Sequence, residues 1–184
     1  MVNVRWALVR HGQTEWNQLR LLQGVTDNVL TAAGRHQASL AGGDLSRYGV
    51  WDRIVSSPLI RARQTAERIA DIIGTPVLEI ADDLAERDFG FAEGASVAGL
   101  DDAERQALMN QGESEDSVLA RAHTVCVRLA AQHPDERIVL VTHGTLIRTV
   151  LDHAYHTSTP RVDNGEVAYV DAALLTRPIS LQKS

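Results

Sequence analysis

Apolar positions along the chain follow two alternating rhythms. Short, nearly unbroken apolar runs alternate with longer stretches in which apolar residues recur every three or four positions. The first rhythm suits buried strands and the second suits amphipathic helices. Residues 4–9 read as a first strand. Thr31 is placed to cap a helix running to about Arg47, and residues 52–56 form a short second strand. Pro58 opens a helix with Ala62, Ala66, Ile69 and Ile73 on one face; Gly74 ends it, and Pro76 prevents its continuation. Residues 77–80 read as a third strand. The segment 81–112 is less regular, with a short helix near 100–109. Ser114 or Ser117 starts a long helix carrying Val118, Ala122, Val125 and Leu129 on one face. The run Ile138-Val139-Leu140-Val141 suits the buried centre of a parallel sheet. A helix from Gly144 to about His153 follows, then an edge strand at 166–170 and a last strand near 172–176. This alternation predicts an α/β fold: a three-layer, doubly wound, mostly parallel sheet of about five to six strands with helices on both faces. No linker or repeat divides the chain. Residues 1–184 read as one domain with a short cap-like insertion at about 95–112.

Charge and composition narrow the function classes. The 184 residues carry a net charge of −6, the reverse of what a nucleic-acid binder shows. No apolar stretch is long enough for a signal peptide or a membrane span, so a soluble cytoplasmic protein without a membrane partner is expected. The single cysteine, Cys126, rules out an intrachain disulfide and a cysteine-based zinc site, and its place on the apolar face of its helix predicts an inert core residue.

Ligands of open α/β sheets bind outside the carboxyl ends of the strands. The first strand runs directly into Arg10-His11-Gly12 and the fourth into Thr142-His143-Gly144. The second ends at Ser56-Ser57-Pro58, with Arg61 and Arg63 just beyond. An acidic cluster of Glu86, Asp88 and Glu93 follows the third. Arginines offer bidentate donors to a phosphate dianion. Gly12 and Gly144 would let the backbone approach a ligand, and Gly144 opens a helix whose free N–H groups favour an anion. A neutral imidazole can attack phosphorus, and a carboxylic acid can protonate the leaving oxygen. Each element has a plainer reading: a strand-end histidine is commonly structural, a helical arginine solvated, an acidic cluster a surface loop. Two His-Gly pairs, each directly after an apolar strand, outweigh those readings. A metal site is the sharper rival, but the chain has no His-x-His or His-Glu-x-x-His spacing, so neither metal nor cofactor is expected.

With these residues in place, the chain resembles the histidine phosphatase superfamily, the phosphoglycerate-mutase-like enzymes. The matching segments are Arg10-His11-Gly12-Gln13-Thr14-Glu15-Trp16-Asn17 continuing to Gln23-Gly24, then Ser56-Ser57-Pro58-Leu59-Ile60-Arg61-Ala62, Leu84-Ala85-Glu86 through Gly94, Gly112-Glu113-Ser114, and Val141-Thr142-His143-Gly144. The resemblance implies that His11 is the phosphorylated nucleophile. It implies that Arg10, Arg61 and His143 hold the phosphoryl oxygens with help from Asn17 and Gln23, and that Glu86 is the proton donor. Should Glu86 fail in that role, Asp88 and Glu93 are next in line. Gly12, Gly144 and Arg87 are further candidates for substrate binding. For attack, one nitrogen of His11 must be unprotonated while the other donates, in the simplest arrangement, to a backbone carbonyl.

The expected activity is metal-independent hydrolysis of a small-molecule phosphomonoester through a phosphohistidine, with a phosphoprotein substrate kept open. A mutase needs extra cations for the carboxylate of a phosphorylated acid. Here the segment 95–111 carries Asp101, Asp102 and Glu104 against one cation, Arg105, which favours a phosphatase and weakly disfavours highly anionic substrates, although Arg87 and Arg105 could reverse that locally. Val97, Leu100, Leu108 and Met109 could line an apolar cap. Mutase-type phosphoryl transfer and a non-catalytic phospholigand-binding module are the rival readings. A homodimer could form through the edge strand at 166–170.

Overall fold

The computed structural model describes residues 6–179. Of the expected first strand, Val4 and Arg5 lie outside the described residues. Five strands form one sheet: β1 (Trp6–Arg10), β2 (Arg53–Ser56), β3 (Val77–Ile80), β4 (Ile138–Thr142) and β5 (Val167–Val170). Their order is β3-β2-β4-β1-β5. All neighbours are parallel except β5, which runs antiparallel to β1. Around the sheet lie α1 (Glu15–Gln18), α2 (Ala32–Arg47), α3 (Ile60–Ile73), α4 (Asp102–Met109), α5 (Glu115–Gln132), α6 (Gly144–Tyr155) and α7 (Ala172–Leu175).

Strand alternation separates two cores, as a period of two requires. Trp6 and Leu8 of β1, with Ile138 and Leu140 of β4, join a cluster that includes Val118, Val125, Leu129, Leu146, Ile147 and Val150 of α5 and α6. Ala7 and Val9, with Val139 and Val141, pack against Ala41, Leu45, Ala62, Ala66 and Ile69 of α2 and α3. This is the doubly wound, three-layer arrangement, here with five strands. Cys126 is buried in the first core, and burial pushes its thiol up to about 12.

Helix starts follow local chemistry. Thr31 caps α2 by accepting from the Gly34 amide, and Ser114 caps α5 by accepting from Ser117, so Ser114 rather than Ser117 sets that boundary. α3 ends at Gly74 in the left-handed conformation, φ +72°. The expected last strand near 172–176 is instead helix α7. Asp171 caps it through the Ala173 amide, and Ala-Ala-Leu-Leu is a run of good helix formers without β-branching. One helix was not anticipated: α1 is a single turn closed by a reciprocal Thr14–Asn17 capping box.

β1 and β4 lie side by side at the sheet centre with Arg10 opposite Thr142, and the His11 amide donates to the Thr142 carbonyl at 3.0 Å. The two His-Gly segments therefore leave the sheet together. No described helix is long and apolar enough to cross a membrane.

Candidate active site

His11 is buried at the exit of β1. Its Nδ1 lies 2.7 Å from the Gly12 carbonyl. A carbonyl only accepts, so Nδ1 carries the proton and Nε2 keeps its lone pair. That nitrogen accepts from Arg61 Nε at 3.2 Å. Burial holds the imidazole well below its usual range; the Arg61 and Arg10 charges push the same way, against the bond to Gly12. His11 is thus neutral at neutral pH, with an unprotonated nitrogen facing the guanidinium of Arg61.

The arginines are held by backbone carbonyls. Arg61, fully buried on α3, donates to the carbonyls of Gly24 (2.6 Å) and Thr26 (3.0 Å). Arg10 Nη1 donates to the Val162 carbonyl at 2.7 Å. Burial lowers both guanidinium groups to about 10, which leaves them cationic at neutral pH. His143 sits 5.1 Å from His11 between ring centroids. Its Nε2 meets Ser57 Oγ at 2.7 Å, and that oxygen also accepts from the Leu59 amide. With the Ser57 hydroxyl donating to Nε2, Nδ1 of His143 holds the ring's single N–H proton. Burial, then Arg61, keeps His143 neutral as well.

Buried side-chain donors normally find partners. Here Arg10 Nε, His143 Nδ1 and Gln23 Nε2 have none. Gln23 is positioned by its carbonyl, which accepts from Thr14 Oγ1 (2.8 Å) and Asn17 Nδ2 (3.1 Å). Asn17 in turn accepts from Asn164 Nδ2 at 3.1 Å, and Asn164 also donates to the His11 carbonyl.

Of the acidic cluster, Glu86 alone lines the cavity. Its carboxylate accepts from the amides of Arg87 (2.9 Å), Thr145 (3.1 Å) and Leu146 (3.3 Å), at the N-terminus of α6. The α6 amides thus hold this side chain, whereas the sequence reading gave them to a ligand. Glu93 instead clamps the backbone amides of Val25 and Thr26, both at 2.8 Å. Burial raises its acid range, but the bonds from Thr26, Val25 and Phe89 outweigh that and hold it as a carboxylate. Asp88 is exposed and accepts from Gly90.

Three expectations change. Arg87 does not reach the pocket: its guanidinium is buried against the Glu113 carbonyl (2.6 Å), Glu115 (3.1 Å) and Asn110 (3.3 Å). It braces the Glu86 loop from behind, beside Arg121, which donates to the Glu86 carbonyl. Gly12 is needed for packing, and Gly144 lines the cavity while also sitting tight against Arg10. A Cβ at Gly12 would lie 2.2 Å from the Gly34 carbonyl of α2, and one at Gly144 would press on the Arg10 guanidinium. The acids of the cap segment do not face the site either: Asp101 and Glu104 close a capping box on α4, and Asp102 is exposed.

The cavity has a volume of about 220 Å³. Arg10, Gln23, Asn17, Glu86 and Gly144 line one part, and Leu21, Leu22, Phe89, Val97 and Met109 supply apolar wall. Val97 and Met109 therefore line it as anticipated, Leu108 packs behind them, and Leu100 is absent from both groups. Sequence reasoning missed Ser57, Thr65 (which accepts from the Gly12 amide) and Asn164. Asn164-Gly165 has a turn signature, but nothing in it points to a site 153 residues away in the chain. Among the described residues, no cluster of three or more His, Cys, Asp or Glu could hold a metal ion.

The profile of the histidine phosphatase superfamily (branch 1) matches residues 6–177. An uncharacterized phosphatase, PhoE, of Bacillus subtilis (strain 168) is 35% identical over 144 residues, covering 78% of this chain and 74% of its own. A probable phosphoglycerate mutase, GpmB, of Klebsiella pneumoniae (strain 342) is 36% identical over 180 residues, covering 89% and 83%. Among solved structures, mycobacterial glucosyl-3-phosphoglycerate phosphatase with VO3 superposes with a TM-score of 0.78 at 28% identity, covering 88% of this chain and 90% of that one. These matches, with two His-Gly strand ends meeting over buried arginines, show that the chain belongs to the histidine phosphatase superfamily, a family of phosphoryl-transfer enzymes.

Proposed function

We propose that the protein hydrolyses small phosphomonoesters through a phosphohistidine on His11, without a metal ion. One observation carries the reading. A neutral imidazole with its lone pair on Nε2 shares this end of the fold with buried donors that have no protein partner: Arg10 Nε, His143 Nδ1 and Gln23 Nε2. A phosphoryl group would meet those donors, and the cost of leaving them unpaired argues that something anionic does.

In the first step, Nε2 of His11 forms a bond to phosphorus as the ester P–O bond breaks. Glu86, in its protonated form, gives its proton to the leaving oxygen and becomes a carboxylate. In the second step, that carboxylate takes a proton from water, the hydroxide attacks phosphorus, and the P–N bond breaks. Phosphate leaves, and both His11 and the protonated Glu86 are restored. The transition state spreads charge over the equatorial oxygens, so most of the catalysis is positioning and electrostatics supplied by Arg10, Arg61 and His143.

Hydrolysis of para-nitrophenyl phosphate with chelator present tests the proposal. Turnover that survives chelator, with ³²P trapped on wild type and not on His11→Ala, is the expected result. Equal labelling of both proteins would refute the phosphohistidine. The similarity to GpmB keeps mutase-type transfer as a second reading, and bisphosphoglycerate-primed conversion between phosphoglycerate isomers would reveal it.

A further inference from the structure

The cavity walls are more cationic than the phosphoryl site requires. Beyond Arg10, the walls carry Arg20, Arg105, Arg148 and Arg161, against Glu86 as the sole acid. This is in a protein of net charge −6. Arg20, Arg148 and Arg161 form no ion pair with any described carboxylate; Arg105 meets Asp102 only at 3.7 Å, while its buried Nε has no partner. Burial lowers the proton affinity of Arg10 most; Glu86 and Asp163 raise it, and Arg161 and Arg148 are close enough to lower it further. Clustered like charges repel, so an arrangement with so few internal partners favours an anion from outside.

The scaffold places these groups deliberately. Arg148 lies one turn into α6, after Gly144. Arg161 precedes Val162, whose carbonyl anchors Arg10, so the residue that fixes the phosphoryl site also fixes Arg161 beside it. Arg20 has φ +57°, in the left-handed region that favours glycine, yet a long cation stands there facing the cavity. Its carbonyl accepts from the Val97 amide, which ties it to the cap segment that carries Arg105.

We propose that the substrate is a small phosphomonoester whose tail bears a second anionic group, a carboxylate or a phosphate, and that Arg148 and Arg161, with Arg20 and Arg105 from the cap side, hold that group. This rests on the phosphatase reading and reverses what the acids of the cap segment suggest. The apolar wall takes the carbon stem, and a cavity of about 220 Å³ keeps the tail short.

Matched substrates test it. Phosphate release by wild type is compared for glycerol 3-phosphate (neutral tail), 3-phosphoglycerate (carboxylate tail) and propane-1,3-diol bisphosphate (phosphate tail), with para-nitrophenyl phosphate as reference. At least one anionic tail should exceed glycerol 3-phosphate about tenfold or more in kcat/KM, as a charge-assisted contact implies; which arm wins identifies the group. In Arg148→Gln and Arg161→Gln, that preference should collapse, mainly through KM. No preference in wild type, or variants that slow all four substrates equally, would overturn the subsite and leave the phosphatase reading standing. Failure of wild type on all four substrates would fail the phosphatase reading and take the subsite with it.

Discussion

The phosphoryl end of the pocket and its tail end are held in different ways. Arg10 and His11 extend β1, His143 extends β4, and the backbone of the two strands is paired in register up to that point. Their side chains are buried, Arg10 fixed by the Val162 carbonyl, His11 by the Gly12 carbonyl and His143 by Ser57 Oγ, while Arg61 on α3 is fixed by the carbonyls of Gly24 and Thr26. The tail end is made of Arg20 on a loop, Arg105 on short α4, Arg148 on α6 and Arg161 on the loop before β5. Those arginines keep more solvent and fewer partners. A rigid sheet edge can hold donors near the geometry of one transition state, whereas a rim built from loops can change its substrate without disturbing the chemistry. Damage to the first region should therefore affect every substrate, and damage to the second should affect selection among them.

The largest effect should come from the nucleophile. His11→Ala should lose about 10⁴-fold or more in kcat on every phosphomonoester. A variant retaining a tenth of the activity would show that another group attacks phosphorus. Next is Glu86→Gln, which should slow alkyl phosphates by about 10²- to 10⁴-fold and para-nitrophenyl phosphate much less, because an aryl oxide leaves without full protonation. Equal losses on both would remove Glu86 from the acid role. Neither Glu93 nor Asp88 could then replace it as placed, since Glu93 is committed to backbone amides and Asp88 is exposed.

The same contrast decides what was legible in the sequence. Strand-end residues could be read because each His-Gly follows directly on an apolar run, and local order fixes where such residues emerge. Arg61 lies on the first turn of a helix that starts at a strand end, but Arg63 shares that local signal, and only the resemblance to the family's Arg-Ala pattern separates the two. Arg87 could not be read: it adjoins Glu86, but its guanidinium turns back to Glu113 and Glu115, a choice made by packing between distant segments. Arg161 and Asn164 reach the site only because β5 returns antiparallel beside β1, a pairing that no local signal encodes. α7, where the apolar run suggests a strand, is a helix because Asp171 caps it and two alanines follow, a signal that is local and present in the sequence.

A smaller, pH-dependent effect follows from the two neutral histidines. Burial and the arginines depress both below the ordinary value of about 6.5 that they regain on unfolding. Below pH 6.5 the unfolded chain therefore binds up to two protons that the native chain does not. Stability should be flat with respect to these groups above that pH and fall below it, by at most about 1.4 kcal/mol per histidine for each pH step. Denaturant unfolding between pH 7.5 and 5 should show the decline in wild type and a shallower one in His143→Gln, with the ring resonances of His11 and His143 staying in their neutral positions through pH 6.5. Titration of either ring near 6.5 would contradict the buried, arginine-flanked geometry.

The smallest effects test whether the turn that carries His11 depends on its close approach to α2. Two of the three glycines of α2, Gly34 and Gly43, have opposite surroundings. A Cβ at Gly34 would sit 2.1 Å from the Gln13 carbonyl, just past the nucleophile, whereas one at Gly43 would meet nothing within 4 Å. By helix propensity alone, both Gly→Ala changes should stabilise by about 0.5–1 kcal/mol. Gly43→Ala should do so and leave activity alone. Gly34→Ala should instead cost about 1–3 kcal/mol, because backbone on both sides must move apart. It should also lower kcat on neutral-tailed and anionic-tailed substrates alike, since the shift displaces Gln13 and, through it, the turn that carries His11. If Gly34→Ala stabilised the protein as Gly43→Ala does, α2 would not be what holds the His11 turn in place, and that turn's rigidity would have to come from the β1–β4 pairing alone.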